Sequence, residues 1–130
     1  MGILRSQRLI LWLPPAAWMA FIFYLSSQSS FGILSRLSFP GADKLVHAVI
    51  YGVLAALTAR AVVPGRWSPG WGWLVATSYG MTDEYHQFFV PGRQMDGWDL
   101  LADAAGAALA VAALTLIRQR RDSGEPRSAP

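Results

Sequence analysis

Residues 45–63 read LVHAVIYGVLAALTARAVV, and this stretch decides the fold. It is close to the roughly 20 apolar residues that cross a bilayer, and its only strongly charged side chain, Arg60, lies near its far end. Comparable blocks flank it at 9–25, 71–90 and 100–117, with Pro64-Gly65, Ser68-Pro69-Gly70 and Pro91-Gly92 between the later ones, where helix breakers belong. The whole chain of 130 residues is 53% hydrophobic and 15% charged, with a mean hydropathy of +0.30. Soluble domains carry about a quarter charged residues. A disordered chain, a disulfide scaffold and an ordinary soluble enzyme are all excluded. The pattern predicts an all-α integral membrane bundle of four transmembrane helices.

The first block follows Arg5 and Arg8 and is interrupted by Pro14-Pro15. It is long for the apolar core of a signal peptide, and Ser26-Ser27-Gln28-Ser29-Ser30 offers no A-x-A cleavage site. It is therefore read as a retained, kinked helix, since Pro is tolerated in membrane helices. The membrane domain covers 1–117, and the polar stretch 118–130 reads as a disordered basic tail. One side of the layout takes eight basic residues (Arg5, Arg8, Arg60, Arg66, Arg118, Arg120, Arg121, Arg127). The other takes three (Arg36, Lys44, Arg93) together with six of the eight acidic residues. The positive-inside rule then puts both termini in the cytoplasm and the first and third loops outside, facing the periplasm or cell exterior, in a multi-pass membrane protein. The net charge of +3 is not a nucleic-acid footprint, because the basic residues flank apolar blocks. With no Cys there is no disulfide or thiol chemistry.

Ionisable residues inside a span are by default a functional hypothesis, and here they fall at one depth. Lys44 and His47 open the second helix. Asp83, Glu84, His86 and Gln87 lie in the outer third of the third. Arg93, Asp96 and Asp99 follow in the loop, and Asp103 is one turn into the fourth. Helical phase aligns Lys44, His47, Tyr51, Ala55 and Thr58 on one stripe, leaving Val46, Val49, Ile50, Val53 and Leu57 for lipid. It sets Tyr85 and Phe89 opposite the polar face of the third helix. On the fourth helix Asp99, Asp103, Gly106 and Ala110 align, with small residues that permit close approach. These stripes predict one shared, outward-opening polar cavity.

Several residue groups carry a family resemblance. They are Asp43-Lys44-x-x-His47, Asp83-Glu84-x-x-Gln87, Pro91-Gly92-Arg93 and Asp99-x-x-x-Asp103-x-x-Gly106, with Ser26-Ser27-Gln28 after the first helix. In order and spacing they resemble the VanZ-like family, named for a teicoplanin-resistance membrane protein, over essentially all of the chain to Ile117. Asp103 stands where the family commonly has Asn, which adds a carboxylate to the cavity, and Ala110 where it often has Gly. The resemblance implies a cell-envelope membrane protein, linked in some members to glycopeptide or lipopeptide tolerance. It supplies no settled reaction.

The candidate ligand-binding residues are Lys44, His47, Asp83, Glu84, Gln87, Arg93, Asp99 and Asp103. Glu84 is either the binding or basic group of the cavity or half of an ion pair with Arg93, Lys44 or His47. Arg93, aimed by a Pro-Gly turn, suits a phosphate or carboxylate, or pairs with Glu84, Asp96 or Asp99. Asp99 doubles as a candidate N-cap of the fourth helix, and Asp43 with Lys44 as an interfacial pair. Trp67, Trp71 and Trp73 read as an inner aromatic belt and Trp98 as an outer one. A metal held by His47, Asp83, Glu84 and His86 is considered and not assigned, since only two His are available and no H-E-x-x-H occurs. No cofactor is expected. There is no G-x-S-x-G elbow, no phosphate-binding loop and no membrane lipid phosphatase signature.

Three readings follow. The first is a binder of a membrane lipid or lipid-linked amphiphile that lowers antibiotic action. The second is an enzyme acting on an envelope lipid or peptidoglycan precursor, with Glu84 and His47 as catalytic groups. The third is a helical partner protein associating through Gly106 and Ala110.

Overall fold

The computed structural model describes residues 9–29, 39–62 and 68–124. Among these residues all regular structure is helical: α1 (Leu13–Ser26), α2 (Ala42–Val62), α3 (Gly70–Gln87) and α4 (Gly97–Gly124). Two of them, α2 and α4 over Gly97–Ser123, are long and apolar enough to cross a membrane, and α1 is a shorter apolar helix.

The helix ends follow local chemistry. Leu9 and Ile10 are helical, Leu11 and Trp12 turn, and α1 begins with its prolines in the first turn, where a missing N–H costs nothing. The expected kink is thus a break just before Pro14. The third helix stops at Gln87 rather than 90, because Pro91 disfavours a helical conformation at the residue before it. The largest departure is α4. Residues 118–124, expected to be disordered, continue the helix to Gly124. Arg118, Gln119, Arg120 and Arg121 are good helix formers, and cations there oppose the negative end of the helix dipole. Residues 125–130 lie outside the described residues, as does Trp67.

Backbones meet at small residues. Gly106 of α4 lies against the Ala48 carbonyl of α2, Gly72 of α3 against the Ala55 carbonyl, and Gly80 of α3 against the Asp103 side chain. A side chain at Gly106 or Gly72 would meet backbone and force the helices apart, and one at Gly80 would displace the Asp103 carboxylate. Gly106 is thereby engaged inside the chain, with α2. Around these crossings Ile22, Tyr51, Leu54, Ala55, Ala76 and Ala107 form the core. Trp73 Nε1 donates to the Ala104 carbonyl at 3.1 Å, tying α3 to α4. The outside is apolar: Leu9, Phe23, Leu45, Val49, Tyr85, Phe89, Trp98, Leu109 and Leu116 are all exposed, far more than a soluble monomer shows in contiguous patches.

Candidate functional site

The C-terminal ends of α1 and α3 meet the N-terminal ends of α2 and α4 at one end of the bundle, around a cavity of about 550 Å³. Ile22, Leu25 and Ser26 of α1 form one wall, and Val46, His47, Ile50 and Tyr51 of α2 a second. Asp83 and Gln87 come from α3, and the segment 92–96 forms the lip. Val46 and Ile50, expected to face lipid, face this space instead, because α1 packs along that side of α2. The lip owes its course to Val90-Pro91-Gly92-Arg93. The Arg93 N–H donates to the Val90 carbonyl at 3.0 Å and Gly92 has φ +81, the geometry of a type II turn with Pro then Gly at its centre.

Lys44 organises the rim. Its ammonium donates to Asp43 at 2.8 Å, Asp96 at 2.7 Å and Asp99 at 2.6 Å, so α2, the loop and α4 share one cation. This pairing is broader than the expected contact with Asp43 alone. The N-cap of α4 is Asp96, not Asp99. Asp96 Oδ1 accepts the Trp98 N–H at 2.9 Å, which satisfies one of the free donors of the first turn. Asp99 sits within that turn, where a negative charge is favourable. The Lys44 ammonium beside Asp96 holds its carboxyl below the usual carboxylate range, with the Trp98 N–H adding to the effect.

Beneath the rim runs a relay: Arg93 Nη2 donates to Gln87 Oε1 at 2.9 Å, and Gln87 Nε2 to Asp83 Oδ2 at 3.2 Å. The sequence offers Arg93 either an anionic ligand or a pair with Glu84, Asp96 or Asp99; one of its side-chain bonds goes to Gln87. Glu84 and Asp103 lie deeper, 3% and 0% exposed. Glu84 Oε2 accepts the Asp96 N–H at 2.8 Å. The carboxylate does lock α3 to the outer loop, and it does so through a backbone N–H. His47 Nδ1 lies 2.9 Å from Asp103 Oδ1, and its Nε2 is 3.7 Å from Asp99. His47, Glu84 and Asp103 each offer a ligand atom within 4.8 Å of the others. This set differs from the one considered in sequence, because His86 turns away: its Nε2 is 3.1 Å from Ser27 Oγ and its ring packs on Phe23 of α1.

The structure therefore brings together Lys44, His47, Asp83, Glu84, Gln87, Arg93, Asp99 and Asp103. Of these, His47, Asp83, Gln87, Arg93 and Asp99 reach the cavity, while Glu84 and Asp103 stand behind it. Sequence reasoning offers Asp96 only as a partner for Arg93, although its place three residues before Asp99 is N-cap to N3 spacing. Tyr51 OH, on the cavity wall, faces the Asp83 carboxylate, whereas the buried Ser26 Oγ on the same cavity has no hydrogen-bond partner. A hydroxyl in that condition is available to a bound polar group.

Neither the curated proteins nor the solved structures returned a match to this chain. The sequence profile of the VanZ/LLP1 family does match, over residues 11–118. That span takes in α1 to α3, every polar residue of the cavity and α4 to the start of its basic end. Sequence motifs, their convergence on one cavity and the extent of the match lead to one assignment: the chain belongs to the VanZ/LLP1 family.

Proposed function

We propose that the cavity binds the head of an amphiphile whose chain lies against the apolar outer faces of the bundle. The protein would act in the cell envelope by withholding or capturing a lipid-linked wall precursor or a lipoglycopeptide, and so lower antibiotic action. The observation that carries this reading is the wall of the cavity. Arg93, with a guanidinium suited to a phosphate or carboxylate, stands with the unpartnered hydroxyl of Ser26 and the phenol of Tyr51 on the same space as Ile22, Leu25 and Ile50. The volume is that of a small-molecule site, and the lining is divided between apolar side chains from α1 and α2 and polar ones from α2, α3 and the lip.

In this reading all four helices span the bacterial inner membrane, both termini are cytoplasmic and the cavity opens outward. The Lys/Arg asymmetry supports that orientation, and the exposed apolar side chains on all four helices support the spans. The chain has no Cys, so single cysteines at Ser30 and Ser123 report topology. Membrane-impermeant maleimide should label the first in intact cells and the second only after lysis; the opposite pattern rejects the orientation.

A second reading, chemistry on the same ligand, is favoured by one feature: His47 lines the cavity while Asp103 holds its Nδ1 side, the arrangement of an oriented acid–base imidazole. Glu84, the other expected catalytic group, does not line the cavity. Wild type, Arg93→Lys and His47→Gln expressed in a susceptible host separate the two. Tolerance to a lipid-tailed glycopeptide without a new lipid or muropeptide, reduced in Arg93→Lys, supports binding. A new product that vanishes in His47→Gln supports chemistry. No change in tolerance or products with folded wild type rejects both.

A further inference from the structure

We propose that His47, Glu84 and Asp103 form a binding site for one divalent cation of the zinc class, seated behind the cavity. One residue comes from each of α2, α3 and α4, and their ligand atoms lie within 4.8 Å of one another. A tetrahedral zinc ion with bonds near 2.0–2.1 Å holds its ligands about 3.3 Å apart. Side-chain rotations that draw the three atoms inward by at most about 1.5 Å are enough to form it.

The second observation concerns individual oxygens. Glu84 Oε1 and Asp103 Oδ2 are buried and have no hydrogen-bond partner, while the other oxygen of each carboxylate is already held. Glu84 Oε2 takes the Asp96 N–H and Asp103 Oδ1 faces the His47 ring. Lys44 is committed to Asp43, Asp96 and Asp99 and forms no bond to either oxygen. Two carboxylates at this depth need protons, a paired cation or a metal, and the imidazole between them is the ligand that turns an acidic pair into a zinc-type donor set.

The surroundings fit that use. Ligating carboxylates and imidazoles are held in orientation by outer hydrogen bonds; the Asp96 N–H does this for Glu84, and Asp99 lies 3.7 Å from the distal nitrogen of His47. Gly80 has no side chain at the point where Asp103 Oδ2 approaches α3, so that oxygen keeps its room. One nitrogen and two oxygens favour zinc and its first-row neighbours over Mg2+ or Ca2+, which take all-oxygen shells. Three protein ligands leave a zinc ion one further position, for water or a group entering from the cavity that His47 lines.

The test uses the untagged full chain in detergent, equilibrated with zinc and dialysed, with metal counted by mass spectrometry. About one zinc per chain is expected, retained against equal Mg2+ and Ca2+. Glu84→Gln and Asp103→Asn should each weaken zinc binding at least about tenfold, while Asp122→Asn, at the exposed far end of α4, retains it. Zinc no greater than in a His47→Ala control, or undiminished in both carboxylate variants, overturns the proposal. Should the variants fail to fold, X-ray absorption of zinc-loaded wild type decides: one imidazole with oxygen ligands supports the site, and a shell with no imidazole or with two rejects it.

Discussion

The three helices α2, α3 and α4 and the single helix α1 are joined to the bundle by different physics. The trio meets backbone to backbone, through Gly106 on Ala48 and Gly72 on Ala55. At such distances no side chain can adjust, so the relative depth of the helices is fixed. That depth is what brings His47, Glu84 and Asp103 together. Helix α1 is attached by side chains instead: Ile22 enters the core, Trp18 Nε1 donates to the Ile50 carbonyl at 2.9 Å and Tyr79 OH to the Met19 carbonyl at 2.8 Å, and Ser27 Oγ just past its end lies 3.1 Å from His86 Nε2. Both carbonyl acceptors lie inside helices, and the bonds to them can be lost without moving a backbone. The ionisable cluster thus belongs to the rigid part, and the cavity lies along the seam between it and a more loosely held wall.

The hardest way to break this division is Gly106→Val. Its Cβ would run into the Ala48 backbone, and parting two helices costs more than the roughly 1–3 kcal/mol of ordinary overpacking. No folded monomer should elute from size-exclusion chromatography in detergent, whereas Gly97→Ala, with nothing near its Cβ, should elute as wild type. Wild-type behaviour of Gly106→Val would mean that the α2–α4 crossing is not the rigid element.

Next in size is His47→Ala. It strips the partner from Asp103, whose side chain is 1% exposed, and leaving a buried carboxylate unpaired costs about 3–5 kcal/mol. The lower end applies, since the imidazole itself is 15% exposed. Combining it with Asp103→Asn should recover much of the loss in a thermal-melting double-mutant cycle. Strict additivity would separate the two residues energetically.

What the sequence carried, and what it did not, follows the same line. Helical phase depends only on spacing along one helix, so Asp83, Glu84 and Gln87 on the buried face and Tyr85 and Phe89 outside it were legible. So was the turn at Pro91-Gly92. The path of the segment after that turn was not, because it depends on which backbone group finds which carboxylate. That is why Asp96 rather than Asp99 caps α4, why Glu84 bonds a backbone N–H, and why one bond of Arg93 goes to Gln87. The direction of His86 was equally hidden, since it depends on the placement of α1, whose links to the trio are made by side chains. Two boundaries depart on local grounds: the end of α3, set by Pro91, and the helical end of the basic tail, where propensity outweighs a polar composition.

The α1 seam is sharpened by a smaller perturbation. Trp18→Phe with Tyr79→Phe removes both side-chain-to-carbonyl hydrogen bonds, each worth about 1 kcal/mol net, and leaves the trio untouched. A reporter cysteine at Ser26, buried at 3% exposure on the cavity wall, should react several-fold faster with maleimide in the double variant. A cysteine replacing Ala107, buried in the trio, should not change. Equal acceleration at both sites would dissolve the distinction between a rigid trio and a separable wall.

The smallest effect belongs to the rim, where the trio meets the loop. Asp96→Asn keeps a good N-cap and loses only the charge that Lys44 contacts at 2.7 Å. Lys44 retains Asp43 and Asp99, and exposed ion pairs contribute little, so the melting temperature should stay within error at pH 7. The sign of the pH dependence distinguishes the charge from the cap. Asp96 titrates below its ordinary 3.8 because Lys44 stabilises the carboxylate. Its contribution is therefore complete above that value and lost only as pH falls through the lower folded-state value. Wild type minus Asp96→Asn should be flat from pH 8 to about 5 and shrink only below about pH 4. A difference that already changes between pH 7 and 5 would assign the effect to a group other than Asp96, and the rim charge would then be coupled to the buried cluster rather than separate from it.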